Sequence, residues 1–347
     1  MDYNRQGINR NVYASQFWKG NEDSVMNKKI LFFSIIALAS FFAGILIFTS
    51  TDSESVIIIK NRKHQMPGYA IYTENGDILY VDDIISIKKS ILGNTIVNTD
   101  SFKVYNPIGI IETPPQESIM SIYNKVLDFL NNDKKVLIIY IDGLGYDLYN
   151  KSIEMGYVPY ISSMGTAVKA LTVYPTITDV TFASMVTGTT PLHTGIKSRE
   201  KKLLKVHTIF DKAAEIGKTS KVIEGNMQII IDEVETILNI DENNNGTIDD
   251  EIYKRALEEI QDPPDILLVH FHSYDDFAHK YGPSSGKALS QLNVLDSYVK
   301  ELVERFDGDV IIASDHGMHD DNEVGGLHGA FCEEDLFIPI ITMENRI

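Results

Sequence analysis

The 347-residue chain is 44% hydrophobic and 23% charged, enough apolar material for one or two domains with substantial cores and unlike a disordered or fibrous chain. Its 49 acidic and 31 basic residues leave a formal charge of −18, which repels nucleic acid and anionic lipid over most of the surface, so no nucleic-acid scaffold is expected as a partner. The single cysteine, Cys332, excludes an intrachain disulfide and a Cys-based zinc knuckle. Any metal must be held by His, Asp or Glu.

Residues 1–29 carry a local balance of +2 and read as a short cytoplasmic tail. The uncharged apolar run from Ile30 to Phe48 that follows has the length of a membrane-crossing helix. Positive charge before the run and negative charge after it place the bulk of the chain outside. Residues 30–50 are therefore expected to anchor the protein as a single-pass span, or to act as a signal that is cleaved to release a secreted form. The exit Thr49-Ser50-Thr51-Asp52 lacks an A-x-A cleavage pattern, which favours the anchor.

Residues 55–113 read as a small β-rich segment, with short strands at Val56–Ile59, Ala70–Thr73, Ile78–Val81 and Thr95–Val97 and a hairpin step at Asn75-Gly76. After Thr113-Pro114-Pro115, the apolar residues Ile119, Ile122, Val126, Leu127 and Leu130 follow helical spacing. From Lys135 the rhythm changes. Val136–Ile141, Ile266–Phe271 and Val310–Ala313 are apolar on both faces and separated by helix-length segments. That pattern predicts an α/β domain over 135–347, with a mostly parallel central sheet and helices on both faces. Each run ends in a cluster of Asp and His, at the strand ends where such sheets bind ligands.

Six of the nine histidines lie between His270 and His328. Asp275 and His279 are four residues apart, on one face of a helical turn; Asp315-His316-Gly317 follows a strand directly; His328-Gly329 lies in a Gly-rich loop; Asp142 ends the first strand of the domain. Oxygen and nitrogen ligands in this number suit two divalent ions, most naturally zinc, with manganese as the alternative. Between them lies Tyr174-Pro175-Thr176-Ile177-Thr178-Asp179-Val180-Thr181, running into Val186-Thr187-Gly188. A hydroxyl at a helix start beside a metal can serve as a nucleophile.

Taken in order, the strand ending in Asp142, the Pro-Thr-x-Thr segment, Asp275-x-x-x-His279 with Lys280-Tyr281-Gly282-Pro283, Ser314-Asp315-His316-Gly317-Met318 and His328-Gly329 resemble the alkaline phosphatase superfamily, most of all its type I phosphodiesterase and nucleotide pyrophosphatase branch. The resemblance covers roughly residues 135–345. It implies an alkaline phosphatase-like fold in which Asp142, Thr178, Asp315 and His316 surround one metal and Asp275, His279 and His328 hold the other. It further implies that Thr178 attacks phosphorus and that the resulting phosphothreonine is hydrolysed. The family pattern places Asn three residues after the nucleophile, on a phosphoryl oxygen; here that place is Thr181, a shorter-reaching substrate contact that argues against nucleotides. No arginine lies inside a motif, which favours a phosphodiester over a doubly charged monoester. The expected activity is hydrolysis of a small-molecule phosphodiester outside the cytoplasm. The alternatives are a phosphomonoesterase or a phosphoryl-group transferase of the same superfamily, and, from another class, a non-catalytic binding ectodomain.

The remaining candidates have plainer expectations. His270 and His272 are expected to pack in or behind the core, His193 and His207 to lie on the surface, and Cys332 to be a small buried residue; His319 has no assigned role. Asp241, Asn243, Asn245 and Asp249 occupy positions 1, 3, 5 and 9 of a calcium-type loop with Gly246 at position 6, but Ile252 replaces the bidentate Glu at position 12. Calcium at this loop competes with the reading of a solvated acidic turn. Residues 224–262 hold twelve acidic and two basic side chains, so much of the acidity is local to this stretch.

Overall fold

The structure, a computed structural model, describes residues 56–61, 67–200 and 202–344. The apolar run 30–48 and the tail before it lie outside the described residues. Among the described residues no helix is long and apolar enough to cross a membrane.

An eight-stranded sheet organises the α/β body, in the order Glu235–Leu238, Ser220–Glu224, Ile266–Phe271, Val136–Ile141, Asp309–Ser314, Phe337–Met343, Val168–Leu171, Glu117–Ser118. The first five strands run parallel, and Phe337–Met343 is antiparallel to both its neighbours. Every residue of Val136–Ile141, Ile266–Phe271 and Asp309–Ser314 is buried. The cause is a helical layer on each face. Val136, Ile138 and Tyr140 join one core with Val126, Phe129, Val180, Met185 and Phe210. Leu137, Ile139 and Ile141 join the other with Tyr149, Ile161, Ile252, Leu292 and Val299. Strand side chains alternate between faces, so a continuous apolar run feeds both layers.

Register fixes where the polar residues emerge. Phe271 pairs with Ile141 and Ile141 with Ser314. The three strands therefore end at one level, and the next residues along them are His272, Asp142 and Asp315.

The helix Gly286–Arg305 starts at Ser285, whose hydroxyl accepts from Ala288 N at 3.2 Å, and buries Leu289, Leu292, Leu295, Val299 and Leu302 at helical spacing. Asp296 on the same helix is only 4% exposed. Its carboxylate accepts from Tyr160 N at 3.0 Å and Ile161 N at 2.8 Å, capping the short helix Pro159–Ser163 from a distance. Asp296→Ala strands both amides and should destabilise the protein by about 2 kcal/mol, read as a lower urea midpoint with an unchanged slope.

The segment expected as a β-rich appendage does form strands, in a four-stranded sheet (Ile57–Lys60, Pro107–Glu112, Tyr69–Thr73, Ile78–Val81) and a three-stranded one (Ile84–Lys89, Thr95–Thr99, Lys103–Tyr105). The four-stranded sheet is not free-standing. Ile59, Ala70, Tyr72, Ile78 and Ile111 share a buried core with Phe331, Leu336 and Phe337, and Tyr72 Oη donates to Thr172 O at 2.9 Å. A sheet this small cannot bury both its faces alone, so one is covered by the α/β body.

Candidate active site

Asp142 ends its strand and is followed by Gly143 at φ +78°. A Cβ there would lie 2.8 Å from Asp275 Oδ1, so the glycine lets the first strand's turn meet the helix Ser273–Tyr281. Gly143 N donates to Asp315 Oδ1 at 2.9 Å, tying the first turn to the third strand. Gly317 packs against Gly145 and Glu334, with its missing Cβ only 1.8 Å from Glu334 O. That contact explains why glycine follows Asp315-His316. Asp275 and His279 face each other across one helical turn, Oδ2 to Nε2 at 3.3 Å. Thr178 is the first residue of the helix Thr178–Thr187, all ten residues of which are buried.

The side chains converge. His316 Nε2 lies 3.1 Å from Asp315 Oδ2, 3.6 Å from Asp142 Oδ1 and 3.4 Å from Thr178 Oγ1. The His316 and His328 rings stack at 3.9 Å, and His279 and His328 lie 5.0 Å apart. Two groupings emerge, Asp142 with Asp315 and His316, and Asp275 with His316 and His328; within each, ligand-type atoms lie within 4.8 Å of one another. His279 joins through Asp275. Six of the expected ligands and Thr178 thus form one cluster, with His316 central to both halves.

The hydrogen bonds orient the three imidazoles alike. Nδ1 of His279 donates to Gly326 O at 2.9 Å, Nδ1 of His316 to Gly317 O at 3.0 Å, and Nδ1 of His328 to Thr176 O at 2.7 Å. A carbonyl only accepts, so each Nδ1 carries a proton and each Nε2 is the nitrogen turned into the cluster. Asp142 Oδ1, Asp275 Oδ1 and Asp315 Oδ2 are buried without a hydrogen-bond partner. Three carboxylates crowded into a buried site repel one another unless protons or cations lie among them. These residues fit bound divalent cations.

Electrostatics agree. Burial, then the charges of Asp315 and Asp275, push the Asp142 carboxyl well above its usual range. Burial also opposes ionisation of Asp275, but the hydrogen bond from His279 and the neighbouring imidazoles outweigh it and hold Asp275 at about 2. Burial and the adjacent His316 push His328 down to about 4, keeping it neutral and able to ligate.

Other expected site residues are placed differently. Thr181 is fully buried, and its hydroxyl donates to Ile177 O and Thr178 O, both at 3.1 Å. It is turned onto its own helix and away from the cluster, so the expected phosphoryl contact finds no support in the geometry. Within the calcium-type loop, Asp241 accepts from Asn245 N and Gly246 N, Asn243 from Asn245 N, and Asn245 from Thr247 N. Asp249 is not a loop ligand: it is 2% exposed, and its two oxygens accept from His272 N at 2.8 Å and Ser273 N at 2.9 Å. Ile252 is buried in the core. The calcium expectation is corrected at Asp249, which instead caps the helix that carries Asp275 and His279. Asp249→Ala should destabilise the fold by about 1–2 kcal/mol, seen as a lower melting temperature. Calorimetric titration of the unaltered protein with millimolar calcium should give no saturable heat from this loop.

Sequence reading did not pick out Glu224. It ends the strand Ser220–Glu224 and is 1% exposed. Its Oε2 meets His270 Nδ1 at 2.9 Å and its Oε1 meets His272 Nε2 at 2.5 Å. An acid closing an apolar strand before glycine, as in Val222-Ile223-Glu224-Gly225, is the same signal that marks Ile141-Asp142-Gly143. His270 is buried and His272 half-buried, both behind Asp142 as expected. His319 bonds Asp335 at 2.7 Å. The Cys332 thiol is pushed up to about 12 by burial and then Asp335, so it stays protonated. His193 and His207 are exposed.

Fold and site together define an α/β protein with Asp and His clusters able to hold metal beside a helix-terminal hydroxyl. The chain belongs to the type I phosphodiesterase / nucleotide pyrophosphatase family, whose model matches residues 136–201 and 200–337. Membership places it among enzymes of phosphoester chemistry. Among curated proteins it is 36% identical over 64 residues to the human GPI ethanolamine phosphate transferase 3 catalytic subunit, covering 18% of this chain and 6% of that protein. It is likewise 36% identical over 64 residues to GPI ethanolamine phosphate transferase 2 of Kluyveromyces lactis, covering 18% and 8%. These matches therefore span only a small part of the relatives' own length. Among solved structures, phosphonoacetate hydrolase from Sinorhizobium meliloti 1021 aligns at a TM-score of 0.44 and 18% identity, over 53% of this chain and 56% of that one. Murine ectonucleotide pyrophosphatase / phosphodiesterase 5 aligns at 0.44 and 19%, over 55% and 59%.

Proposed function

We propose that residues 135–347 form a two-cation phosphoester enzyme that uses Thr178 as nucleophile and acts on a phosphodiester outside the cytoplasm. The observation that carries the reading is the placement of Thr178 Oγ1, at a helix N-terminus and 3.4 Å from His316 Nε2, among three carboxylates with unpartnered buried oxygens. Two divalent cations, most naturally zinc, would neutralise those carboxylates and supply Lewis acidity to the phosphoryl group. Asp142, Asp315, His316 and Thr178 would hold one, and Asp275, His279 and His328 the other.

Thr178 Oγ1 loses its proton to solvent and forms the new bond to phosphorus as the leaving alkoxide departs on the opposite side and takes a proton from solvent, giving a phosphothreonine. The N-terminal amides of its helix favour the negative charge that develops there. Water then attacks the same phosphorus, and Thr178 leaves with its oxygen and regains a proton as the water gives one up. The Nδ1–H bonds of His279, His316 and His328 hold their rings in place through both steps.

A second reading replaces water by an alcohol acceptor, making the protein a phosphoryl-group transferase; the stretches similar to GPI ethanolamine phosphate transferases favour it. Product analysis by 31P NMR, with a chromogenic diester and excess of an alcohol, separates the two. Free phosphomonoester alone supports hydrolysis, and a new diester supports transfer. Absence of turnover on mono- and diester panels with zinc or manganese present would overturn both. Attachment to a membrane through residues 30–48 is part of this reading and rests on their length, apolarity and flanking charge.

A further inference from the structure

The three-stranded sheet carries a hairpin whose tip the rest of the molecule leaves bare. Its strands Ile84–Lys89 and Thr95–Thr99 are joined through the turn Ser90-Ile91-Leu92-Gly93, in which Gly93 N donates to Ser90 O at 2.9 Å and Ser90 N to Asn94 O at 2.8 Å. Gly, Asn, Asp, Ser and Pro dominate such turns. Here the two central residues are aliphatic, and Ile91 and Leu92 are exposed at 105% and 88%. Among the described residues neither joins an apolar core. Two large apolar side chains held fully in water at a loop tip call for a partner that removes them from it.

Local charge and the tether identify that partner. Residues 84–99 contain Lys88 and Lys89 and no acid, in a chain whose formal charge is −18. Both lysines are exposed. Tyr105, also exposed, lies on the same face as Lys88, because Lys88 pairs with Ile96 and Ile96 with Tyr105. An aliphatic tip backed by lysines and a tyrosine matches the passage from hydrocarbon into headgroups. The apolar run ends at Phe48 and the first strand starts at Ile57, so residues 49–56 alone separate them. A segment of that length spans at most about 30 Å, so an anchor at 30–48 keeps the first strand within that distance of the bilayer. The hairpin belongs to the same appendage, since Val97 and Val104 share a buried core with Ile71, Val81 and Ile110 of the four-stranded sheet.

We propose that the hairpin tip Ile91-Leu92 dips into the bilayer to which the chain is anchored, with Lys88 and Lys89 on anionic headgroups. The inference rests on the anchor reading of residues 30–48 and adds a second point of contact to it. Two aliphatic side chains would hold a free protein at a membrane only weakly. On a short tether they act at a high effective concentration, so a small gain suffices. The second contact limits how far the body can swing on its linker and so fixes the face it turns to the lipid.

The test uses the full chain reconstituted into vesicles of phosphatidylcholine and phosphatidylglycerol. Its single tryptophan, Trp18, is removed as Trp18→Phe, and Leu92→Trp places a fluorophore at the tip. The introduced indole should emit to the blue of its position in water and be quenched by doxyl-labelled lipid. Adding Lys88→Gln and Lys89→Gln should lower the ratio of inserted to free tip by about 30-fold in these vesicles and leave it unchanged in phosphatidylcholine alone. An indole that stays in water while the chain resists a carbonate wash overturns the inference and leaves the anchor standing. A blue-shifted indole that doxyl lipid does not quench lies against protein, a second copy included, and also overturns it. Quenching before the wash in a chain that carbonate then strips away supports the tip and overturns the anchor. A chain that never associates with the vesicles overturns both.

Discussion

Thr178→Ala should lower turnover of an activated phosphodiester by about a thousandfold or more if Thr178 is the proposed nucleophile, because among the described residues the neighbouring hydroxyls are otherwise engaged. Thr176 lies two residues away, but its Oγ1 accepts from Gly329 N at 2.9 Å and sits 3.4 Å from Asp335 Oδ2. Thr181 is turned onto its own helix. Thr178→Ser keeps the hydroxyl and should retain activity to within about tenfold, losing mainly the methyl group that restricts the side-chain rotamer. The Ala variant removes one hydroxyl at a helix terminus, so its melting temperature should stay within a few degrees of the parent and separate lost chemistry from lost folding. Steady-state kinetics on the three proteins check this. An Ala variant within threefold of the parent would take Thr178 out of the reaction.

Removal of divalent metal should be as severe. Dialysis against a chelator is expected to bring turnover to background and to lower the melting temperature by about 5–10 °C, the size expected when an ion well above its dissociation constant no longer favours the native state. Asp142, Asp275 and Asp315 are then left as buried carboxylates with unpartnered oxygens, which burial and mutual repulsion disfavour. Adding zinc or manganese back should restore both properties together. A chelated protein that keeps its activity would sink the two-cation reading.

How much was legible depends on how local each determinant is. Val136–Ile141 is apolar throughout and Ile266–Phe271 is interrupted only by His270, and the structure gives them those same bounds, because strands buried on both faces are apolar wherever no polar partner such as Glu224 is at hand. Ser220–Glu224 is only partly buried at its start, so its apolar stretch is too short to stand out, and Glu224 went unseen with it. The Asp275 and His279 pairing was legible because helical geometry alone brings positions four apart together. Asp249 offers itself both as a calcium-loop ligand and as part of a solvated turn, and is neither, because its partners, the amides of His272 and Ser273, are distant in sequence. Thr181 shows the same limit at the level of a single rotamer: an offset of three residues from Thr178 fixes where the backbone is but not where the hydroxyl turns.

The three imidazoles of the cluster take their protonation pattern from Gly326 O, Gly317 O and Thr176 O, all main-chain atoms. Main-chain acceptors hold these Nδ1 protons, so a side-chain substitution elsewhere removes none of the three acceptors. The path of the backbone acts as a mould for the ligands, and the surrounding side chains are free to diverge. Side chains on the exposed rim can then change, and with them the groups a substrate meets, while the His and Asp cluster keeps the geometry its backbone gives it.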